Sequence, residues 1–206
     1  FFLVGLFKKV VIADGIAEFS TPVFDAAVAA ESMYWIDAWG GALGYTLQLY
    51  FDFSGYSDMA IGLARMFGIH LPWNFYSPYK AESAIEFWRR WHISLSGWAF
   101  RNVFFPVIAT TRNQSAALVI TLLTIGLWHD LALTWVTWGL YHGVGMAVLA
   151  WWPWNLVKEG RLRTVGGTVL TNLYVAGGFA FVSIRDYSLA WRIFVEFVTA
   201  PISAVF

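Results

Sequence analysis

The chain has 206 residues, 59% hydrophobic, 19% aromatic and only 13% charged, with Lys plus Arg and Asp plus Glu at 13 each and no cysteine. An ordinary soluble domain carries roughly 25% charge, so this composition and a mean hydropathy of +0.59 place the protein in a membrane. Balanced charge without a basic arm or low-complexity tract excludes a nucleic-acid binder, and the lack of thiols excludes disulfides, thiolate nucleophiles and sulfur-ligated metals.

Taken in order, the chain opens on Phe1-Phe2 with neither a charged leader nor a cleavage pattern, so no signal peptide is expected. Residues 1–13 are apolar but broken by Lys8-Lys9, and residues 35–51 are glycine-rich and interrupted by Asp37; both read as truncated, tilted or re-entrant elements. Asp52, Ser54, Tyr56, Ser57 and Asp58 then form a polar cluster inside apolar sequence. Two roles are open to it: bonding to neighbouring helices and to the arginines that follow, or lining a wall that touches substrate. No G-x-S-x-G pattern surrounds Ser54, which argues against a nucleophile there. His70 reads as a loop residue, and Tyr76-Ser77-Pro78-Tyr79 as a turn.

Between residues 74 and 112 the pattern becomes amphipathic. Trp88, Trp91, His92, Leu95 and Trp98 or Ala99 follow the rhythm of one helical face, which predicts a helix lying in the interface or wedged between spans. From residue 113 to 157 the only formal charge is Asp130, enough for two spans at 115–131 and 132–152 with a turn near His129-Asp130. A third span is predicted at 164–184, entered after the basic segment 158–163. Basic residues on both sides of the two-span hairpin put both flanks on the cytoplasmic side.

Four histidines carry any imidazole chemistry. An imidazole in apolar surroundings is retained either because it is fully hydrogen-bonded or because it handles protons. His92, beside Trp91, and His129, beside Trp128, are far apart in sequence yet able to line one cavity. As a pair they suit general base chemistry, which needs a neutral imidazole and a group to tune it. Their spacing is not that of a helical zinc face, and no metal is expected. Asp130, adjacent in sequence, is expected to pair with an arginine elsewhere rather than orient His129. His142, among small residues, is expected to make a structural hydrogen bond. Arg89 and Arg90 fit either a phosphate contact or an interfacial anchor.

At this point several blocks together resemble the membrane-bound O-acyltransferase family, in its bacterial branch of alginate O-acetyltransferases and teichoic-acid D-alanyl transfer proteins. They are the run from Gly5 to Asp14, Gln48 to Ala60, Asn74-Phe75 with Pro78-Tyr79, Phe87 to Ser96, Gly126 to His129 and Trp138 to Gly143. The resemblance implies an all-α, multi-spanning membrane protein with interfacial and re-entrant helices around a central cavity. It implies that residues 1–206 are the C-terminal part of one membrane domain whose N-terminal spans lie outside the chain, and it leaves the activity of the piece alone open. His129 matches the family's essential histidine and His92 its second one; Asp52, Ser54, Tyr56, Arg89, Arg90, Trp91 and Trp128 are the candidate substrate contacts.

The implied reaction moves an acyl group, acetyl first among the choices, onto a hydroxyl of an extracytoplasmic glycan. The donor is an acyl thioester, acetyl-CoA or an acyl carrier protein, and no cofactor is expected. The implied partners are membrane lipid and the glycan acceptor, with an accessory extracytoplasmic acetyltransferase, in the cytoplasmic (inner) membrane. A transporter or export module with proton-relay histidines stays open as the alternative. Two positions depart from the family pattern: Asp130 stands where glycine is usual, and the run from Phe100 to Ile108 replaces a familiar loop.

Overall fold

The computed structural model describes residues 1–29, 31, 34–151 and 160–199, all of their regular structure helical. It divides into two compact units, Phe1–Asn74 with the chain from Phe179 onward, and Phe75–Gly178.

In the first unit, α1 (Phe2–Phe7), a wide π turn (Lys8–Ala13) and α2 (Asp14–Val28) run on without interruption, and α3 covers Trp35–Met66. Lys8-Lys9 does not break the first helical run because both ammonium groups find carboxylates. Lys8 Nζ reaches Asp58 at 2.6 Å, and Lys9 Nζ reaches Asp14 and Asp52 at 2.7 Å each. Pairing offsets the cost of carrying charge into apolar surroundings.

Three expectations change here. Residues 1–13 are the start of a long helical run, residues 35–51 are the front of a 32-residue helix, and the carboxylates of the polar cluster pair with the N-terminal lysines rather than with the later arginines. Close packing of α1 on α3 depends on Gly55, where a Cβ would lie 2.7 Å from the Gly5 carbonyl oxygen. With α10 (Tyr187–Thr199), the unit buries Ala27, Ala38, Ala42, Ala180 and Ile193 beneath Phe24 and Trp39.

The second unit contains a 3₁₀ turn (Pro78–Lys80), α4 (Ala84–Arg90), α5 (Ile93–Ala99), a π turn (Phe100–Phe104), α6 (Phe105–Thr111), α7 (Gln114–His129) and α8 (Leu133–Trp151). Residues of α9 (Arg161–Ser183) as far as Gly178 also belong to it. Ser77 turns left-handed (φ 45°) ahead of Pro78, giving the expected turn. The run from Phe100 to Ile108 is helical. Asn113 caps α7 by accepting from the Ala116 amide at 3.0 Å. The α7–α8 hairpin matches the two predicted segments closely, and Trp151 Nε1 donates across it to Ser115 Oγ at 2.9 Å.

The predicted third span is α9. Among the described residues one helix, Arg163–Ser183, is long and apolar enough to cross a bilayer. The 16 residues of α7 extend about 24 Å, short of a ~30 Å hydrocarbon core. Trp152 and the basic residue Lys158 lie outside the described residues. Large apolar side chains such as Phe19, Leu131, Trp151 and Leu170 face outward, as suits a protein surrounded by lipid.

Candidate active site

Sequence periodicity predicts one helix through Trp88, His92 and Ala99, but the chain breaks at His92. Ser83 caps α4, its Oγ accepting from the Glu86 amide at 3.2 Å, and α4 ends at Arg90. His92 then adopts the left-handed conformation (φ 44°, ψ 56°), and α5 starts anew at Ile93. Left-handed backbone is uncommon outside glycine, with histidine among the residues that tolerate it, and costs on the order of 1–3 kcal/mol. The corner holds because its surroundings are bonded: the His92 carbonyl accepts from the Ser96 amide at 2.9 Å and the Trp91 carbonyl from Ser96 Oγ at 3.1 Å. Trp91 is buried, stacked on Phe87 with centroids 5.5 Å apart and 17° between planes. His92 itself is half-buried, its Nδ1 3.4 Å from Ser94 Oγ.

His129 is the last residue of α7. Its ring lies flat on Trp135 of α8 (4.3 Å, 14°) and edge-on to Trp128 (4.7 Å, 68°). The hairpin permits this because α7 and α8 cross at Gly126 and Gly139, where a Cβ at Gly139 would lie 2.8 Å from the Leu122 carbonyl oxygen. Asp130, in extended backbone after the helix, is exposed and forms no ion pair among the described residues. The expected arginine partner is therefore absent there.

The two imidazoles sense one another. Burial, and after it the charge of His129, holds the His92 imidazole well below its ordinary value, at about 4. α5 packs on α7. An aromatic wall backs them: Trp138 stands 6.2 Å from His129 and 5.5 Å from Trp88. Behind it, His142 is fully buried in a box of rings, with Trp88, Tyr141 and Tyr174 each at 5.2 Å and Trp138 at 4.9 Å. Trp135, Trp138 and Tyr174 were not among the sequence candidates. Trp135, Trp138 and His142 share one face of α8 at helical spacing, the signal that marks the first two.

The remaining candidates divide by unit. Arg90 pairs with Glu86 and lies over the Tyr76 ring at 5.6 Å, Arg89 is exposed, and Trp128 is 60% exposed, all in the second unit with the histidines. Asp52, Ser54 and Tyr56 belong to the first unit. There Asp52 is committed to Lys9, Tyr56 is exposed, and Ser54 is buried with no hydrogen-bond partner for its Oγ among the described residues.

The model of the membrane-bound O-acyltransferase family matches residues 1–153. The chain is 49% identical over 131 residues to the probable alginate O-acetylase AlgI of Azotobacter vinelandii, covering 62% of the chain and 26% of that protein. It is 47% identical over 131 residues to a peptidoglycan O-acetyltransferase of Helicobacter pylori, covering 62% and 24%. Against the probable alginate O-acetylase AlgI of Pseudomonas aeruginosa it is 40% identical over 208 residues, covering 94% of the chain and 36% of the relative. The chain thus spans about a quarter to a third of the length of these relatives. With paired histidines at a strained helix corner and a helix end, and with the family model covering most of its length, the chain belongs to the membrane-bound O-acyltransferase family.

Proposed function

We propose that this chain carries the catalytic histidines of a multi-spanning enzyme of the inner membrane that transfers an acyl group, acetyl in the first instance, from a thioester donor to a hydroxyl of an extracytoplasmic glycan. The observation that carries this reading is that His92 and His129 fall in one compact unit, with the His129 ring stacked on Trp135 and backed by Trp138. His129 takes the proton of the attacking hydroxyl. The new C–O bond forms as the C–S bond breaks, and the proton passes on to the departing thiolate, leaving the imidazole neutral for the next turnover. Trp135 holds the imidazole ring by stacking. His92, kept neutral, donates or accepts a hydrogen bond at the donor carbonyl or the acceptor hydroxyl. Trp91 and Trp128 flank the two histidines in the chain. Acetyl-CoA or an acyl carrier protein supplies the acyl group, and an accessory extracytoplasmic acetyltransferase receives or relays it. The similarity to proteins named for O-acetylation of alginate and peptidoglycan supports the acetyl group and the glycan acceptor.

Membranes containing the full-length protein, given a labelled acetyl thioester and glycan acceptor, test the mechanism. Positioned general base catalysis contributes about 10²- to 10⁴-fold, so His129→Ala is expected to lose transfer by that factor while accumulating normally. Full transfer by that variant rules the mechanism out.

A further inference from the structure

A cavity of about 520 Å³ in the second unit is lined by none of the histidines. Its walls are Trp88, Ile93, Phe100, Phe104, Leu118 and Met146, and its polar members include Arg89 and Gln114, both exposed. Arg101 comes within 3.3 Å of the place a Cβ on Gly97 would take, and Gly97 lines the cavity. Neither Arg89 nor Arg101 has an ion pair or side-chain hydrogen bond among the described residues, whereas Arg90 next door is held by Glu86.

These features select one ligand chemistry. The apolar walls suit an alkyl chain; at about the 30 Å³ that a water occupies in the liquid, the cavity has room for on the order of 15 methylene-sized groups. Guanidinium groups at its edge suit a phosphate, which arginine binds with charge-assisted, often paired hydrogen bonds. We propose that the cavity binds one acyl chain of an anionic glycerophospholipid, with its phosphodiester on Arg89. This lipid site is separate from the histidine pair and does not rest on the acyl-transfer reading.

Full-length protein in nanodiscs doped with a diazirine-bearing phosphatidylglycerol tests it by peptide mapping. Label is expected to concentrate between Gly97 and Leu118, with the phosphatidylcholine analogue labelling that stretch several-fold less. Arg89→Gln removes a charge-assisted contact and lowers the label there roughly tenfold. Gly97→Leu, at a position whose close neighbour among the described residues is the flexible Arg101 side chain, lowers it by filling space. Label along the exposed side of α9 stays constant in both variants and reports that they are folded. Even labelling of every outward apolar surface, equal labelling by both lipids, or indifference to both substitutions overturns the proposal. So does loss of the label on adding coenzyme A, which would assign the cavity to the acyl donor.

Discussion

Gly126 lies in the last turn of α7, three residues before His129, and its replacement by alanine tests how the hairpin places the His129 ring proposed as the base. A Cβ there would collide with the Trp135 carbonyl oxygen and lie 3.3 Å from the Trp135 carbonyl carbon and 3.5 Å from Gly139 Cα. All three are backbone atoms, so no side-chain rotation relieves the contact and α7 must move off α8. Overpacking of this kind costs about 1–3 kcal/mol. The same movement lifts His129 off Trp135, and a misplacement of about 1 Å at a reacting group can cost on the order of 10²-fold in rate. Gly126→Ala is therefore expected to lower both the melting temperature and the turnover of full-length protein in an acetyl-transfer assay, with the loss in kcat rather than in donor KM. Gly166→Ala is the control. No described residue lies within 4 Å of its Cβ position, so it is expected to keep full activity and to gain up to about 1 kcal/mol of helix propensity. Normal rate and stability in Gly126→Ala, or an equal loss in Gly166→Ala, would refute the reasoning.

His92 predicts an acid-side loss of stability. It is held at about 4 in the folded protein against roughly 6.5 when unfolded. Below pH 6.5 the unfolded chain takes up a proton that the folded one refuses, so stability is complete above that pH and falls as pH drops towards 4. Melting curves from pH 4 to 8 should show this slope and its loss in His92→Gln; a slope that survives the substitution assigns it to other groups. The two lysines should respond differently to removal. Lys8→Met strands Asp58, whose side chain is only 13% exposed, and is expected to destabilise by about 1–3 kcal/mol, with Lys8→Met/Asp58→Leu recovering most of the loss. Lys9→Met, whose partners are 44% and 52% exposed, should stay within about 1 kcal/mol; equal losses at both positions would show that burial does not set the difference.

The helical class, the α7–α8 hairpin with its turn at His129-Asp130, the apolar run of α9 and the two histidines were legible in composition, charge spacing and motif. They were legible because each depends on local sequence: a charge-free stretch, a capping asparagine, a histidine next to tryptophan. Where reading by periodicity failed, a contact distant in sequence decided. The Lys8-Lys9 pair looks like a helix breaker until Asp52 and Asp58, more than 40 residues on, neutralise it. The amphipathic rhythm through His92 predicts a continuous helix, because side-chain pattern does not register a left-handed backbone held by Ser96. Asp130 was expected to find an arginine, yet the turn leaves it in solvent-facing extended backbone.

Sequence by itself determined that this chain is apolar, helical and equipped with two imidazoles in aromatic surroundings, since hydropathy and residue chemistry are properties of the residues in order. Only the tertiary structure decided that His129 lies flat on Trp135, that His92 occupies a strained corner within range of its charge, and that Arg89, without an ion pair among the described residues, borders an apolar cavity. Those facts arise from the close crossing of α7 and α8 at glycines and from the packing of α5 on α7, which join residues that no local pattern connects.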